Sequence, residues 1–167
     1  NFGDGFPDDA ESKIGAQIMN ESFGAGELAP TTVYVSTGSI DASLADLDKV
    51  TVAIANVPGV VRASGPTRPT GEPPLIDPVL LQETIGQLPS TAPGTGRPPA
   101  AMPENPDPRF QEILDAIFAG RRFMSPDGTT ARLDVVMEDN PYGLEAIDRV
   151  VDIRTAARDA VVGTSLA

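Results

Sequence analysis

The segment Thr129–Gly163, TTARLDVVMEDNPYGLEAIDRVVDIRTAARDAVVG, decides the fold, because it reads as a β-strand running straight into a long helix. Leu133, Val135, Val136 and Met137 form an apolar run broken only by Asp134, and the turn Ser125-Pro126-Asp127-Gly128 bounds it upstream. Asn140 and Pro141 mark the changeover. The Asn side chain is suited to cap the helix, and Pro at the first helical position forfeits no hydrogen bond, since that N–H has no intrahelical partner. Ala146, Val150, Ile153, Ala157 and Ala160 then recur at steps of four, three, four and three, which sets them on one face to be buried. Glu145, Asp148, Arg149, Asp152, Arg158 and Asp159 take the other face.

The chain states this pattern twice. Leu144-Glu-Ala-Ile147-Asp148-Arg149-Val150 restates Leu44-Ala-Asp-Leu47-Asp48-Lys49-Val50, and the strand at Leu133–Met137 restates Thr32–Val35, both at an offset of one hundred residues. Strand and helix keeping one separation in both copies indicates a duplicated βα unit. The expected fold class is therefore α+β, with duplicated βα(β) units, a ferredoxin-like core, extra helices and a long Pro-rich loop. The second unit ends at Ala167, whereas the first has by then turned at Val57-Pro58-Gly59 and entered the strand Val60–Ala63, so a final strand is expected to be missing here.

At 167 residues the chain has the size of one domain, expected to span 1–167, and only eight of those residues are aromatic, so its core is expected to be aliphatic. It contains no Cys and no His. Disulfides, thiolate chemistry, His-based metal sites and Ser-His-Asp or Cys-His catalysis are thereby excluded. The net charge of −12 opposes binding to nucleic acid or an anionic membrane surface, and the acidic excess at the two ends reads as a solubilising surface. No segment approaches the roughly 20 consecutive apolar residues of a membrane span.

From the start, Phe6-Pro7-Asp8-Asp9-Ala10-Glu11 opens a helix with Asp8 as its cap and Ala10, Ile14, Ile18 and Met19 inward; acids beside glycines there lack the spacing of a calcium loop. Pro30–Ser36 is the first strand. Asp41 and Ser43 start a helix with Leu44, Leu47, Val50, Ile54 and Val57 inward. Residues 65–108 read as an insertion: a Gly/Pro loop, a modest helix capped by Asp77-Pro78 and running to Leu88, and then seven prolines from Pro89 to Pro108 that form an extended connector, a shape SH3-like domains also bind. Asp107-Pro108 caps another helix with Phe110, Ile113, Leu114, Ile117 and Phe118 on one face, which reads as core or as the wall of a lipid-facing groove. Gly120 stops it, and Arg121-Arg122-Phe123-Met124 forms a hairpin with the organising strand. Arg121 and Arg122 read as surface ion-pairing residues, with a grip on an anionic head group as the sharper alternative.

Five pieces, in order, carry a resemblance: Phe6-Pro-Asp-Asp-Ala-Glu-Ser12 followed by a helix, Phe23-Gly24 and a strand from Pro30; Val57-Pro-Gly-Val-Val-Arg62; Thr67-Arg-Pro-Thr-Gly-Glu-Pro73; Met124-Ser-Pro-Asp-Gly-Thr-Thr-Ala-Arg-Leu133; and Asn140-Pro-Tyr-Gly-Leu-Glu-Ala146 with the Arg-containing helix after it. Together they resemble an extracytoplasmic (periplasmic) porter domain of an MmpL-family transporter of the resistance-nodulation-division (RND) superfamily. The likeness covers most of the chain except Leu75–Phe123. It implies a parent in the cell membrane with about a dozen membrane helices and two such domains, this one more like the second. The implied activity is proton-driven export of lipids or other apolar molecules of an actinobacterial-like envelope. The implied partners are a sister porter domain, the membrane helices and an apolar or lipid substrate. The proton-carrying acids of that family sit inside membrane helices and have no counterpart here, and the Pro-rich insertion departs from its pattern.

The expected role is binding and gating rather than catalysis. No catalytic, cofactor-binding or metal residue is nominated, no cofactor is expected, and substrate-binding residues stay unassigned. Two other classes remain open. A stand-alone secreted interaction module would use the 89–108 connector or the Phe110/Phe118 face. An enzyme would have to work with carboxylates alone, and no pair is singled out by spacing.

Overall fold

A computed structural model describes residues 29–87, 108–139 and 143–167, together with Glu11, Ile14, Gly15, Ile18, Ser22 and Glu27. Among them are three strands and four helices: β1 (Thr31–Ser36), α1 (Leu44–Ala55), β2 (Val60–Ser64), α2 (Pro78–Gln87), α3 (Pro108–Arg121), β3 (Thr130–Met137) and α4 (Leu144–Val161). The strands form one sheet in the order β1-β3-β2, with β3 antiparallel to both neighbours. β1 and β2 thus run parallel with a slot between them that β3 fills, the split β-α-β arrangement of a ferredoxin-like α+β core. The expected fold class holds.

Strand alternation assigns the two faces. Val35, Ala131, Leu133, Val135 and Ala63 point to the side covered by α1 and α4, where Leu44, Leu47, Val50, Ile54 and Ile153 are almost fully buried. The core is aliphatic, as expected, because the helices meet the sheet through Leu, Ile, Val and Ala. The other face carries Tyr34, Arg132 and Asp134, with Tyr34 directly across from Arg132. On the β1 edge, the Ala167 N–H donates to the Ser36 carbonyl at 2.8 Å and its C=O accepts from the Ser36 N–H at 2.7 Å.

Both βα units are present, but the seven-residue match does not preserve burial. Leu44 and Leu47 are buried, whereas Leu144 and Ile147 are 78% and 62% exposed. Leu47, Thr51 and Ile54 correspond in burial to Ala146, Val150 and Ile153, so α4 is one residue out of step with the literal repeat. Its inward face is the one that periodicity indicates, with Ala146 and Ile153 buried and Val150, Ala157 and Ala160 half-buried.

Several local expectations are corrected. α4 begins at Leu144 with Gly143 in the cap position, so Asn140 is not its cap; Asn140 and Pro141 lie outside the described residues. Arg149, assigned to the solvent face, is half-buried and donates to Asp139 at 3.0 Å, because α4 lies close to the turn before β2. Ile14 and Ile18, expected inward, are about half exposed, since no described element covers them; Asp8, Ala10 and Met19 lie outside the described residues. Asp77 caps α2 as expected, accepting from the Val79 and Leu80 N–H groups. Leu88, the connector and Asp107 are outside the described residues. At the hairpin, Asp127 accepts from the Ser125 hydroxyl and the Thr129 N–H, and these bonds hold its carboxyl below the ordinary carboxylate range.

The loop after β2 is tied to α1 by an ion pair with little exposure. The Arg68 guanidinium donates through two nitrogens to the two Asp48 oxygens at 2.8 and 3.1 Å, and the Thr67 hydroxyl adds a bond of 2.7 Å. A two-point contact of this kind gives direction as well as charge. Asp48→Asn is expected to lower unfolding free energy by about 2 kcal/mol, because it weakens charge-assisted bonds to a cation left in place. Leu133→Ala, which opens a cavity between sheet and α1, is expected to cost about 3 kcal/mol. Tyr34→Ala on the opposite face stays within about 0.5 kcal/mol. Urea titration of the three variants, followed by far-UV circular dichroism, checks that order.

Candidate functional site

A groove of about 530 Å³ lies where α1, α2 and α3 converge. Each wall follows from local sequence. α2 begins at Asp77-Pro78 and presents Leu81 and Ile85 at a four-residue step, which sets both on the side facing α1. α3 contributes Ala116, Ile117 and Gly120, and Met124 and Leu44 close the base. Met suits such a place, since its unbranched thioether fills irregular space. Ser39, Asp41, Gln82 and Glu83 supply the polar part of the lining.

Two contacts position the walls. Ser43 stands at the α1 cap without bonding a helix N–H; its hydroxyl instead donates to the Ser39 carbonyl and meets the Thr37 hydroxyl at 2.9 Å. The Ala45 N–H is taken up by the Gln82 side-chain oxygen at 3.1 Å, so α2 supplies what the cap residue does not. On the other side, Gly120 does not stop α3, which runs on to Arg121. It is a close-approach position: a Cβ there would lie 2.3 Å from the Pro66 carbonyl oxygen. Any larger residue would push α3 away from the loop and widen the groove.

That seating fixes the phase of α3. Leu114 is buried and Ile117 half-buried against the core, while Phe118 is 52% exposed. The single apolar face drawn from the sequence is therefore split. Phe118 sits one residue past Ile117, turned away from the groove by about 100°. The side chains of Phe110 and Ile113 lie outside the described residues. Sequence reading placed a groove-lining role on this helix but not on α2, whose short amphipathic run carries only a weak signal. The Leu81/Ile85 spacing beside an Asp-Pro cap was the signal available.

The groove has the chemistry of a binding surface for an apolar group with a few polar contacts. Its size falls in the range of small-molecule pockets, roughly 300–1,000 Å³. No group of three or more His, Cys, Asp or Glu side chains that could hold a metal occurs among the described residues. Arg121 borders the groove, and neither it nor Arg122 makes an ion pair among the described residues. Arg122 donates to the Pro69 carbonyl instead and lies on the far side of the sheet.

Comparison with known proteins gives the context for this geometry. Over 68 residues, 41% of this chain, it is 40% identical to "Probable transport protein MmpL2" of Mycobacterium tuberculosis (strain CDC 1551 / Oshkosh) and 37% identical to "Siderophore exporter MmpL5" of the same organism. The matched stretch is 6% of the length of each, so the chain corresponds to a small part of these relatives. The model of the MMPL family matches from residue 4 to residue 167, across the sheet, the four helices named above and the groove between α1, α2 and α3, and the chain belongs to that family.

Proposed function

We propose that this chain is an extracytoplasmic porter domain of a proton-driven MMPL transporter of the RND superfamily, and that its three-helix groove receives the apolar part of the exported molecule. The observation that carries the reading is a pairing: the family match spans residues 4–167, yet among the described residues no helix is long and apolar enough to cross a membrane. That pairing fits a portion of a transporter lying outside the bilayer. In this reading the domain spans 1–167, with 65–108 as its insertion, and corresponds to the second of two such domains. Its work is binding and gating, without catalysis or a cofactor. The names carried by the relatives, a transport protein and a siderophore exporter, support export as the activity. The apolar lining of the groove supports a lipid or other apolar cargo.

The exposed stripe Leu144, Ile147 and Val151 on α4 supports contact with the rest of the parent. These residues recur at steps of three and four on the helix face turned away from the sheet. The sister domain and the membrane helices are the surfaces assigned to it. Charge argues against nucleic acid as a partner, at −12 overall.

Sidedness is tested with the absence of cysteine in this chain. In a parent stripped of its own cysteines, Leu75→Cys, at a side chain 93% exposed, is expected to react with a membrane-impermeant maleimide in intact cells. Reaction only after lysis would overturn the extracytoplasmic placement. The groove is tested by binding of an apolar fluorescent probe to the chain. Ile117→Ala is expected to weaken binding roughly tenfold, by removal of methyl and methylene contacts worth about 0.8 kcal/mol each when buried, and Phe118→Ala to leave it nearly unchanged. The reverse order would move the site to the outer face of α3.

A further inference from the structure

Opposite the groove, on the sheet face away from α1 and α4, three arginines converge on a second concavity of about 420 Å³. Arg62 comes from β2, Arg132 from β3, and Arg122 from the segment after α3. Between two of them lies the ring of Phe123, only 2% exposed, with the Arg122 guanidinium 4.8 Å and that of Arg132 5.8 Å from its centroid. Stacking of this kind holds a guanidinium in a fixed orientation.

The backbone is adapted to bring Arg62 there. Val60 pairs with Met137 and Arg62 with Val136, so Val61 is an extra residue, a β-bulge. Were the Val60–Met137 register continued without it, Arg62 would stand opposite Val135, which is fully buried on the core face. The bulge turns the cation to the outer face. The loop after β2 then presses on its stem: Gly71 adopts φ +85°, and a Cβ there would lie 2.1 Å from the Arg62 Cγ.

The present partners of these cations are weak ones. Glu27 meets Arg62 at 2.8 Å and Asp134 meets Arg132 at 3.1 Å, with the two arginine side chains 41% and 45% exposed. Such exposed pairs are worth about 0–1 kcal/mol. Among the described residues Arg122 bonds to the Pro69 carbonyl and to no carboxylate, and the Arg62 Nε is buried with no hydrogen-bond partner. Three guanidinium groups against two carboxylates leave a local positive balance in a chain whose net charge is −12.

We propose that this face is a binding site for an oxyanion, a phosphate or carboxylate group, gripped by Arg62, Arg122 and Arg132, with Glu27 as the internal competitor for Arg62. The site is separate from the apolar groove and does not depend on the transport reading.

The test follows the arginine Nε–Hε resonances of the 167-residue chain during titration with inorganic phosphate and, separately, with dihexanoyl phosphatidic acid below its micelle concentration. Arg62, Arg122 and Arg132 are expected to move together and saturate, while Arg154 and Arg158 on α4 stay put. Tighter binding of the lipid identifies a head-group site, and equal binding a site for the free anion; each outcome supports the proposal. Arg132→Gln is expected to weaken binding roughly tenfold or more, the loss of a charge-assisted bond. Glu27→Gln is expected to strengthen it several-fold, an effect a merely structural ion pair would not give. No saturable shift in the wild-type chain, shifts of equal size at Arg154 and Arg158, or unchanged affinity in Glu27→Gln overturns the proposal.

Discussion

The structure depends on one insertion: β3 enters the slot between two parallel strands and satisfies both of their facing edges. β1 and β2 have no hydrogen bonds to each other, because each bonds to β3. The same strand supplies Ala131, Leu133, Val135 and Met137 to the core beneath α1 and α4. A strand central to a sheet and lined with apolar residues is the costliest place to lose a side chain, since both backbone pairing and packing meet there. The helices can only lie where this strand has made a floor.

From that floor the two faces diverge in chemistry. One is sealed by aliphatic side chains and carries at its margin the three-helix groove, whose walls are set by Gln82 on the first turn of α1 and by Gly120 against Pro66. The other gathers the arginines around Phe123. The loop between β2 and α2 touches both: Pro66 borders the groove, Arg68 is locked to α1 through Asp48, and Pro69 accepts from Arg122. A segment that reads as Gly/Pro punctuation is thus a rigid spacer between two candidate sites.

Much of the fold was legible because its signals are local. The inward faces of α1 and α4 rest on steps of three and four, which the backbone geometry enforces, while the strand before α4 shows as an apolar run and the Asp77 cap as an Asp-Pro pair. What escaped depends on neighbours distant in sequence. Nothing local tells that Leu144 and Ile147 face outward while Leu44 and Leu47 face inward; that follows from the one-residue difference in how the two helices meet the sheet. Gly120 read as a stop signal because close approach to Pro66 is invisible in one dimension. The groove was half legible, through Ile117, and its α2 wall was missed because Leu81 and Ile85 are only two residues in a short helix. The arginine face was illegible for a plainer reason: residues 62, 122 and 132 are brought together by a bulge and an antiparallel pairing, neither of which has a sequence signature here.

The strand order also sets a timetable. The centre of the sheet is made after both of its neighbours, so from the emergence of Ser64 until Thr130 and its followers appear, a ribosome adding roughly 5–20 residues per second leaves the slot vacant for about 3–13 s. Throughout that interval β1 and β2 present facing edges and an apolar underside with nothing to pair with, the condition in which strands are captured by other chains. Whatever attends the nascent protein must hold that gap open and unclaimed. The Pro-rich connector adds to the waiting time, since it lengthens the stretch of chain between the two parallel strands and the one that joins them.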